Sequence, residues 1–327
     1  MNTQIITHLL ERDANESIQE ATRLLNDGKL VAIPTETVYG LSCDASNVEA
    51  IKKIFEVKRR PLNHPLILHL NNIDQLPQWA IDIPDITYRL AKQFWPGPLS
   101  VLLKKHPSVP DVITGGSANI CIRIPNHPVM QALFKEFKGS LVAPSANLYG
   151  QVSPTTAEHV MCDLNGKISA VLDGGPCKIG VESTIIDLTK DNISLLRPGG
   201  LSIETIEDFL GHQIDLPEEI IDQISGNMIN HYQPKTRLYT TDDLEIKKIS
   251  NDMTLKNSVF LLLNDYAELA LNSHQMPNDA QLYGQIFYAT LRLVDGKGYD
   301  SIYVEIPPKS NEWMALIDRI MKASFKH

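Results

Sequence analysis

Cysteine is scarce in this chain of 327 residues: Cys43, Cys121, Cys162 and Cys177 are the four present, and no two stand at C-x-x-C spacing. No histidine cluster joins them at zinc-binding intervals, so reduced, mostly buried thiols in a reducing compartment are expected. No apolar run reaches the ~18 residues that a membrane helix needs. The opening stretch "MNTQIITHLLERD" takes on charge early and lacks a signal-peptide pattern, which makes the cytoplasm the expected location.

Positive charge is in deficit as well. Lys and Arg number 30 against 39 Asp and Glu, a net charge of −9. Gripping long nucleic acid by bulk electrostatics needs many uncompensated cations, and no aromatic stacking motif stands out. Stable nucleic-acid binding is therefore not expected, nor is membrane association. Three familiar catalytic loops are also missing. There is no G-x-x-x-x-G-K-[ST], no G-x-G-x-x-G behind a strand, and no G-x-S-x-G. Internal repeats and low-complexity tracts are absent too.

What remains is ordinary soluble composition, 43% hydrophobic and 21% charged, with strands alternating with helices. In "ESIQEATRLLND", Ile18, Ala21, Leu24 and Leu25 share a helical face, and Gly28 follows as a stop. "LVAIP" reads as a buried strand ending at Pro34. "SNVEAIKKIFEVKRR" opens on a Ser46 or Asn47 cap and aligns Val48, Ile51, Ile54 and Phe55. Further strands are read in "HPLILHL", "LSVLLKK", "NICIRIP", "SLVAP" and "VESTIIDL". Further helices are read in "PDITYRLAKQFW", "PVMQALFKEFKG" (closed by Gly139), "SPTTAEHVMCDLNG" and "SIETIEDFLG". The fold class is mixed α/β with flanking helices. Residues 212–235 lose periodicity and read as a linker. A small α/β unit follows over 236–327, with strands "SVFLLLN" and "SIYVEIP" and helices "GQIFYATLRLVDG" and "EWMALIDRIMKA". The domains are therefore 1–211 and 236–327, as the length allows.

Four loops carry chemistry-bearing residues at strand ends, where α/β folds bind ligands. "PTETVYG" places small hydroxyls after a strand, and Gly40 permits a tight bend. "KRRPLNHPL" puts Lys58 and Arg60 on a turn stiffened by Pro61. Such cations suit a helix C-terminus, and equally a triphosphate. "APSANLYGQVSP" gives Ser145 and Asn147 as S-x-N, with Ser153-Pro154 opening a helix, an arrangement suited to phosphate or to simple capping. "DGGPCKIGVESTIIDLTKDNISLLRPGG" brackets a strand with Gly-Gly turns and supplies Asp173, Glu182, Asp187 and Arg197. Together these loops favour a pocket for a phosphorylated small molecule.

In this order, "IPTETVYGLSCDA", "KRRPLNHPLILHL", "CIRIPNHP", "APSANLYGQVSPT", "ESTIIDL" and "LLRPGG" resemble the YrdC-like threonylcarbamoyl-AMP synthases over residues 15–211. "HYQPKT", at 231–236, is similar to the linker motif of the longer, two-domain members, and the second unit matches by placement and length. The resemblance implies a twisted mixed sheet with a concave, positively charged face, plus a Rossmann-like C-terminal domain. It implies synthesis of threonylcarbamoyl-AMP and pyrophosphate from L-threonine, bicarbonate and ATP. The product would serve threonylcarbamoylation of the adenosine beside the anticodon, through a downstream tRNA threonylcarbamoyl transferase complex. Mg²⁺ would arrive with ATP, and no protein metal ligand is assigned.

Site roles follow from the same resemblance. Lys58 and Arg60 match the family K-x-R at the ATP phosphates and are the catalytic pair. Ser145, Asn147, Ser153, Arg197 and Tyr232 fall on the nucleotide side. Thr35, His69, Arg123, Ala143 and Ser183 fall on the threonine side, Arg123 pairing the substrate carboxylate. Two positions depart from the family pattern. "NHPL" stands where many members read asparagine, so Asn63 or His64 fills that nucleotide position. Asn119 replaces a common threonine four residues before Arg123. The rival readings are an RNA-binding module of the same fold without turnover, and a carbamoyl transferase using carbamoyl phosphate. The latter type carries zinc-finger segments for which this chain has no cysteine spacing.

Overall fold

The computed structural model of the protein describes residues 3–7, 14–216, 231–242, 245–246, 257–266 and 272–325. Ten strands of the larger unit are β1 (Gln4–Thr7), β2 (Val31–Ile33), β3 (Gly40–Asp44), β4 (Ile67–His69), β5 (Leu99–Lys104), β6 (Asn119–Arg123), β7 (Leu141–Val142), β8 (Ala170–Asp173), β9 (Thr184–Asp187) and β10 (Ser194–Arg197). They form one mixed sheet in the order β1-β8-β2-β3-β7-β4-β6-β5-β9-β10. β4 and β6 run parallel with His69 opposite Arg123. β7 lies antiparallel to β4.

The helices form for the reasons visible in their sequences. Ala14–Asn26 buries Ile18, Ala21, Leu24 and Leu25. Val48–Lys58 is capped by Asn47, whose side chain accepts from the amide of Ala50 at 3.0 Å. Arg59 then adopts the left-handed conformation, φ 55°, which ends the helix and turns Arg60 inward.

The C-terminal unit is a parallel sheet of β11 (Arg237–Thr241), β12 (Ser258–Leu262), β13 (Ser273–Gln275) and β14 (Ser301–Glu305), in the order β11-β14-β12-β13. The helix Ala280–Asp295 and the helix Met314–Ala323 pack on it. Its core includes Tyr283, Phe287, Leu291 and Val304. The same cluster takes in Val38, Val152 and Val181 from the larger unit, so the two are joined by a continuous apolar contact. Cys43, Cys121 and Cys177 are buried and Cys162 is exposed.

Several local expectations need correction. The helix after "SP" starts at Ala157 with Thr156 as its cap, because Ser153 uses its hydroxyl elsewhere. The helix before Gly139 ends at Glu136. Strands β1, β3, β8, β10, β11 and β13 are not anticipated by the sequence pattern; most are short or carry mixed polarity. Of the linker, 212–216 and 231–235 are described, and 217–230 lie outside the described residues.

Candidate functional site

A cavity of about 40 Å³ opens among the ends of β2, β4, β6, β7 and β10. Three buried arginines line it: Arg60, Arg123 and Arg197. Arg60 donates through Nη2 to the Pro65 carbonyl at 2.8 Å. Burial lowers its guanidinium to about 10, which leaves it cationic at neutral pH. Arg197 closes β10 and donates to the Ser183 carbonyl through Nε at 3.1 Å and Nη2 at 2.8 Å. Arg123 closes β6, donates to Thr37 at 2.9 Å and to the Gly97 carbonyl at 3.1 Å, and pairs with the buried Glu36 at 2.5 Å.

Hydroxyls fill the spaces between these cations. Thr35 Oγ accepts from the amides of Thr37 and Val38 and donates to the Val38 carbonyl at 2.6 Å, which fixes the turn after β2. Ser183 shares a hydrogen bond of 2.8 Å with Ser100. Gly40 bridges to Ser145, and a Cβ at Gly40 would press on Ala143 at 3.0 Å. His69 Nδ1 lies 3.1 Å from the Ile67 carbonyl.

His231 and Tyr232 line the cavity. Their rings stand 4.1 Å apart, and Tyr149 continues the edge-on series from His231 toward His64. Tyr232 is 1% exposed and has φ 65°, a strained conformation for a non-glycine residue. The Tyr232 hydroxyl, His231 Nδ1 and Asn147 Oδ1 are buried without a hydrogen-bond partner among the described residues. Such groups are costly unless something completes them. Beside the cavity, and sharing Ile67 with it, is an apolar pocket of about 190 Å³ over Leu102, Cys121, Ile185 and Leu196, with Asn119 and Asp187 among its lining.

Buried histidines give the site a pH signature. Burial, then neighbouring charge, lowers His69 to about 3; burial likewise lowers His231 to about 3. Unfolding restores ordinary values near 6.5. Between these limits the unfolded chain binds more protons, so stability rises with pH across that window and is lost as pH falls through it. His159, lowered to about 4 by burial and then by Arg292, titrates in the same window and adds a smaller share because it is partly exposed; together the three should give a slope of about 3–4 kcal/mol per pH unit near pH 5. Urea unfolding followed from pH 4.5 to 7 checks this, and the slope should fall by about 1.4 kcal/mol per pH unit in His69→Gln. A flat profile would mean that these rings are already protonated or exposed.

The family profile described as "Telomere recombination" (Sua5/YciO/YrdC) matches residues 23–199, and the profile described as "Threonylcarbamoyl-AMP synthase, C-terminal domain" matches 201–324. The chain belongs to the Sua5/YciO/YrdC family. It is 36% identical to the threonylcarbamoyl-AMP synthase of Pyrococcus abyssi, over 98% of this chain and 97% of that one. It is 37% identical to the Bacillus subtilis threonylcarbamoyl-AMP synthase, over 94% and 92%. Its fold superposes on P. abyssi Sua5 complexed with L-threonine with a TM-score of 0.89 at 35% identity, covering 99% of this chain and 98% of that one.

Within this Sua5-type chain, nine anticipated residues line the cavity: Thr35, Arg60, His69, Arg123, Ala143, Ser145, Ser183, Arg197 and Tyr232. Lys58 does not. Its ammonium is buried and donates to the carbonyls of Ser145 and Asn147, both at 2.5 Å, so it holds the S-x-N loop rather than facing the cavity. Burial, then Arg60, drives its pKa well down. Asn147 is buried, donating to the carbonyls of Leu148 and Gln151. Arg123, expected for a substrate carboxylate, has Glu36 as a resident partner. Asn119 lines the apolar pocket instead.

Of the two residues at the "NH" step, Asn63 is exposed, whereas His64 Nδ1 lies 3.1 Å from the Tyr149 hydroxyl. His64 therefore joins the series of edge-on rings that runs through Tyr149 to His231. Arg59 is exposed. Sequence reading assigns no role to Thr37, Glu182 or His231. The last two stand directly beside the named Ser183 and Tyr232, which is the signal that was available.

Proposed function

We infer that this protein makes threonylcarbamoyl-AMP and pyrophosphate from L-threonine, bicarbonate and ATP. The observation that carries the reading is the cavity of three buried arginines and paired hydroxyls, with an apolar pocket sharing its wall. The threonine amine attacks the carbon of CO₂ or of bicarbonate with loss of water, forming the carbamate C–N bond. A carbamate oxygen then attacks the α-phosphorus. The new P–O bond forms as the bond to the β-phosphate breaks, and pyrophosphate leaves.

This is a displacement between anions, so positioning and charge neutralisation dominate and no covalent nucleophile is needed. Arg60 and Arg197 supply positive charge to the phosphates. Arg123, His69 and Ser183 are assigned to threonine, with Glu36 holding Arg123 in register. The apolar pocket takes the adenine against aliphatic side chains, with Asn119 at its lining. Lys58 acts through the S-x-N loop.

The carbamate hydrolyses readily, so exclusion of water matters. His231 and Tyr232 line the cavity, so on this reading that segment shields the bound reactants from solvent. Mg²⁺ fits as an ion carried on the ATP phosphates. Among the described residues no group of three or more His, Cys, Asp or Glu is placed to hold a metal. The carboxylate lining the cavity, Glu182, is engaged by Arg319, Tyr288 and Ser153.

The reactive product needs a tRNA threonylcarbamoyl transferase complex as acceptor, in the cytoplasm. Among the described residues, no helix is long and apolar enough to cross a membrane. Incubation with ATP, bicarbonate and L-threonine should release pyrophosphate in a threonine-dependent way and yield the adenylate by mass. Absence of that dependence would reject the reading, and steeply salt-dependent tRNA binding without turnover would replace it with the RNA-binding one.

A further inference from the structure

Glu182 is a buried carboxylate, 7% exposed, that the chemistry above leaves unused. It immediately precedes Ser183, and its partners come from both domains. Ser153 donates to it at 2.6 Å from the catalytic domain. Tyr288 donates at 3.0 Å and Arg319, through Nε, at 2.8 Å, both from the C-terminal domain. Burial alone would raise this carboxyl. Arg319, then Arg197 and the hydrogen bonds, outweigh burial and hold it down to about 2.

Arg319 reaches further than Glu182. It is fully buried on the helix Met314–Ala323. Its Nη2 donates to the Pro198 carbonyl at 3.0 Å, its guanidinium lies 5.0 Å from the Tyr232 ring centre, and Asp318 engages its Nη1. Pro198 follows Arg197, and Glu182 precedes Ser183. One side chain of the second domain thus bonds to the neighbours of two cavity residues that also bond to each other. The fork geometry of a guanidinium spans these partners, whereas an ammonium is a point charge.

We propose that Arg319 is a positioning residue for synthesis: through Glu182 it sets Ser153 and Ser183, through Pro198 it sets Arg197, and the C-terminal domain thereby completes the active site from behind. This rests on the synthase reading given above. It assigns the second domain a contribution separate from that of the segment carrying His231 and Tyr232.

The test compares full-length parent, Arg319→Met, and the double variant Glu182→Gln/Arg319→Met. Removing one partner of a buried ion pair leaves an uncompensated charge, whereas removing both does not. The Glu182→Gln change also keeps a side-chain oxygen to accept from Ser153. Steady-state kcat and KM for ATP and for L-threonine are measured beside urea unfolding. The double variant should regain most of the stability that Arg319→Met loses, yet keep a roughly 10- to 100-fold loss in kcat/KM, part of it in kcat. Parental kinetics in the double variant would overturn the proposal, since Arg319 would then only neutralise a buried charge. If Arg319→Met does not fold, the double variant alone decides. A parent without threonine-dependent pyrophosphate release would overturn the synthase reading and this proposal together; a parent that turns over, matched by the double variant, overturns the proposal alone.

Discussion

Replacing Arg197 by alanine should lower kcat for threonine-dependent pyrophosphate release by about 10²- to 10³-fold, the loss typical of a preorganised donor to developing charge. Arg197 closes β10, is 2% exposed and lines the cavity. Its two bonds to the Ser183 carbonyl fix the guanidinium before any substrate arrives, so little reorganisation remains for the reaction itself. Truncation also strips donors from a buried carbonyl, which costs stability of about 1–3 kcal/mol. The two effects separate experimentally: urea unfolding reads the second, and kcat in folded enzyme reads the first. Arg197→Lys should fall between, because the charge survives while the fork that spans Ser183 does not. An unchanged kcat in Arg197→Ala would remove this residue from the reaction.

The stretch "KRRPLNHPL" shows how much of such a site can be read from sequence. Local rules describe it well as a helix end, and the helix does end at Lys58. The left-handed Arg59 is what separates an exposed cation from a buried one: it faces solvent while the next residue, Arg60, turns into the cavity. The ordered set of motifs singles out Arg60, and the turn after the helix brings it to the cavity lined by the other strand-end residues. The same set misplaces Lys58 for a physical reason. Its partners, the carbonyls of Ser145 and Asn147, lie 87 and 89 residues away in sequence. Spacing within one motif carries no signal of a bond that only the sheet order creates.

The same limit explains the strands that the pattern does not announce. β4 and β5 are marked by apolar runs, whereas β10 has four residues and β3 mixes Gly, Ser and Asp with apolar ones. Their identity depends on neighbours in a sheet that mixes parallel and antiparallel pairs. Ser153 suggests a capping motif because Ser-Pro looks like a helix start. Its hydroxyl instead serves Glu182, and Thr156 caps the helix. Glu182 is visible in the sequence as a carboxylate but carries no sign of a role, because a lone acidic residue before Ser-Thr looks like solvent-facing polarity. What gives it a place in the site is Arg319, 137 residues away.

Gly199→Ala should lower activity and stability together through a single added methyl group. The Gly199 backbone lies outside the left-handed region, so strain in φ is not the obstacle. The obstacle is space. A Cβ at this position would overlap backbone atoms of Glu182, Ser183 and Thr184, which cannot move aside as the end of a flexible side chain can. The segment after β10 would have to retreat from the segment before β9. That retreat breaks the bond from the Gly200 amide to the Glu182 carbonyl, now 2.9 Å, and pulls Arg197 from Ser183. Overpacking of this kind costs about 1–3 kcal/mol, and a shift of about 1 Å in a clamp is enough for a roughly 100-fold fall in rate. Gly211→Ala is the matched control. Gly211 has φ 78° with nothing within 4 Å of an added Cβ, so its penalty is conformational, about 1–2 kcal/mol, and kcat should stay parental. Equal kinetic losses in the two variants would show that activity tracks stability alone, whereas a loss confined to Gly199→Ala ties turnover to the close packing of these two backbone segments.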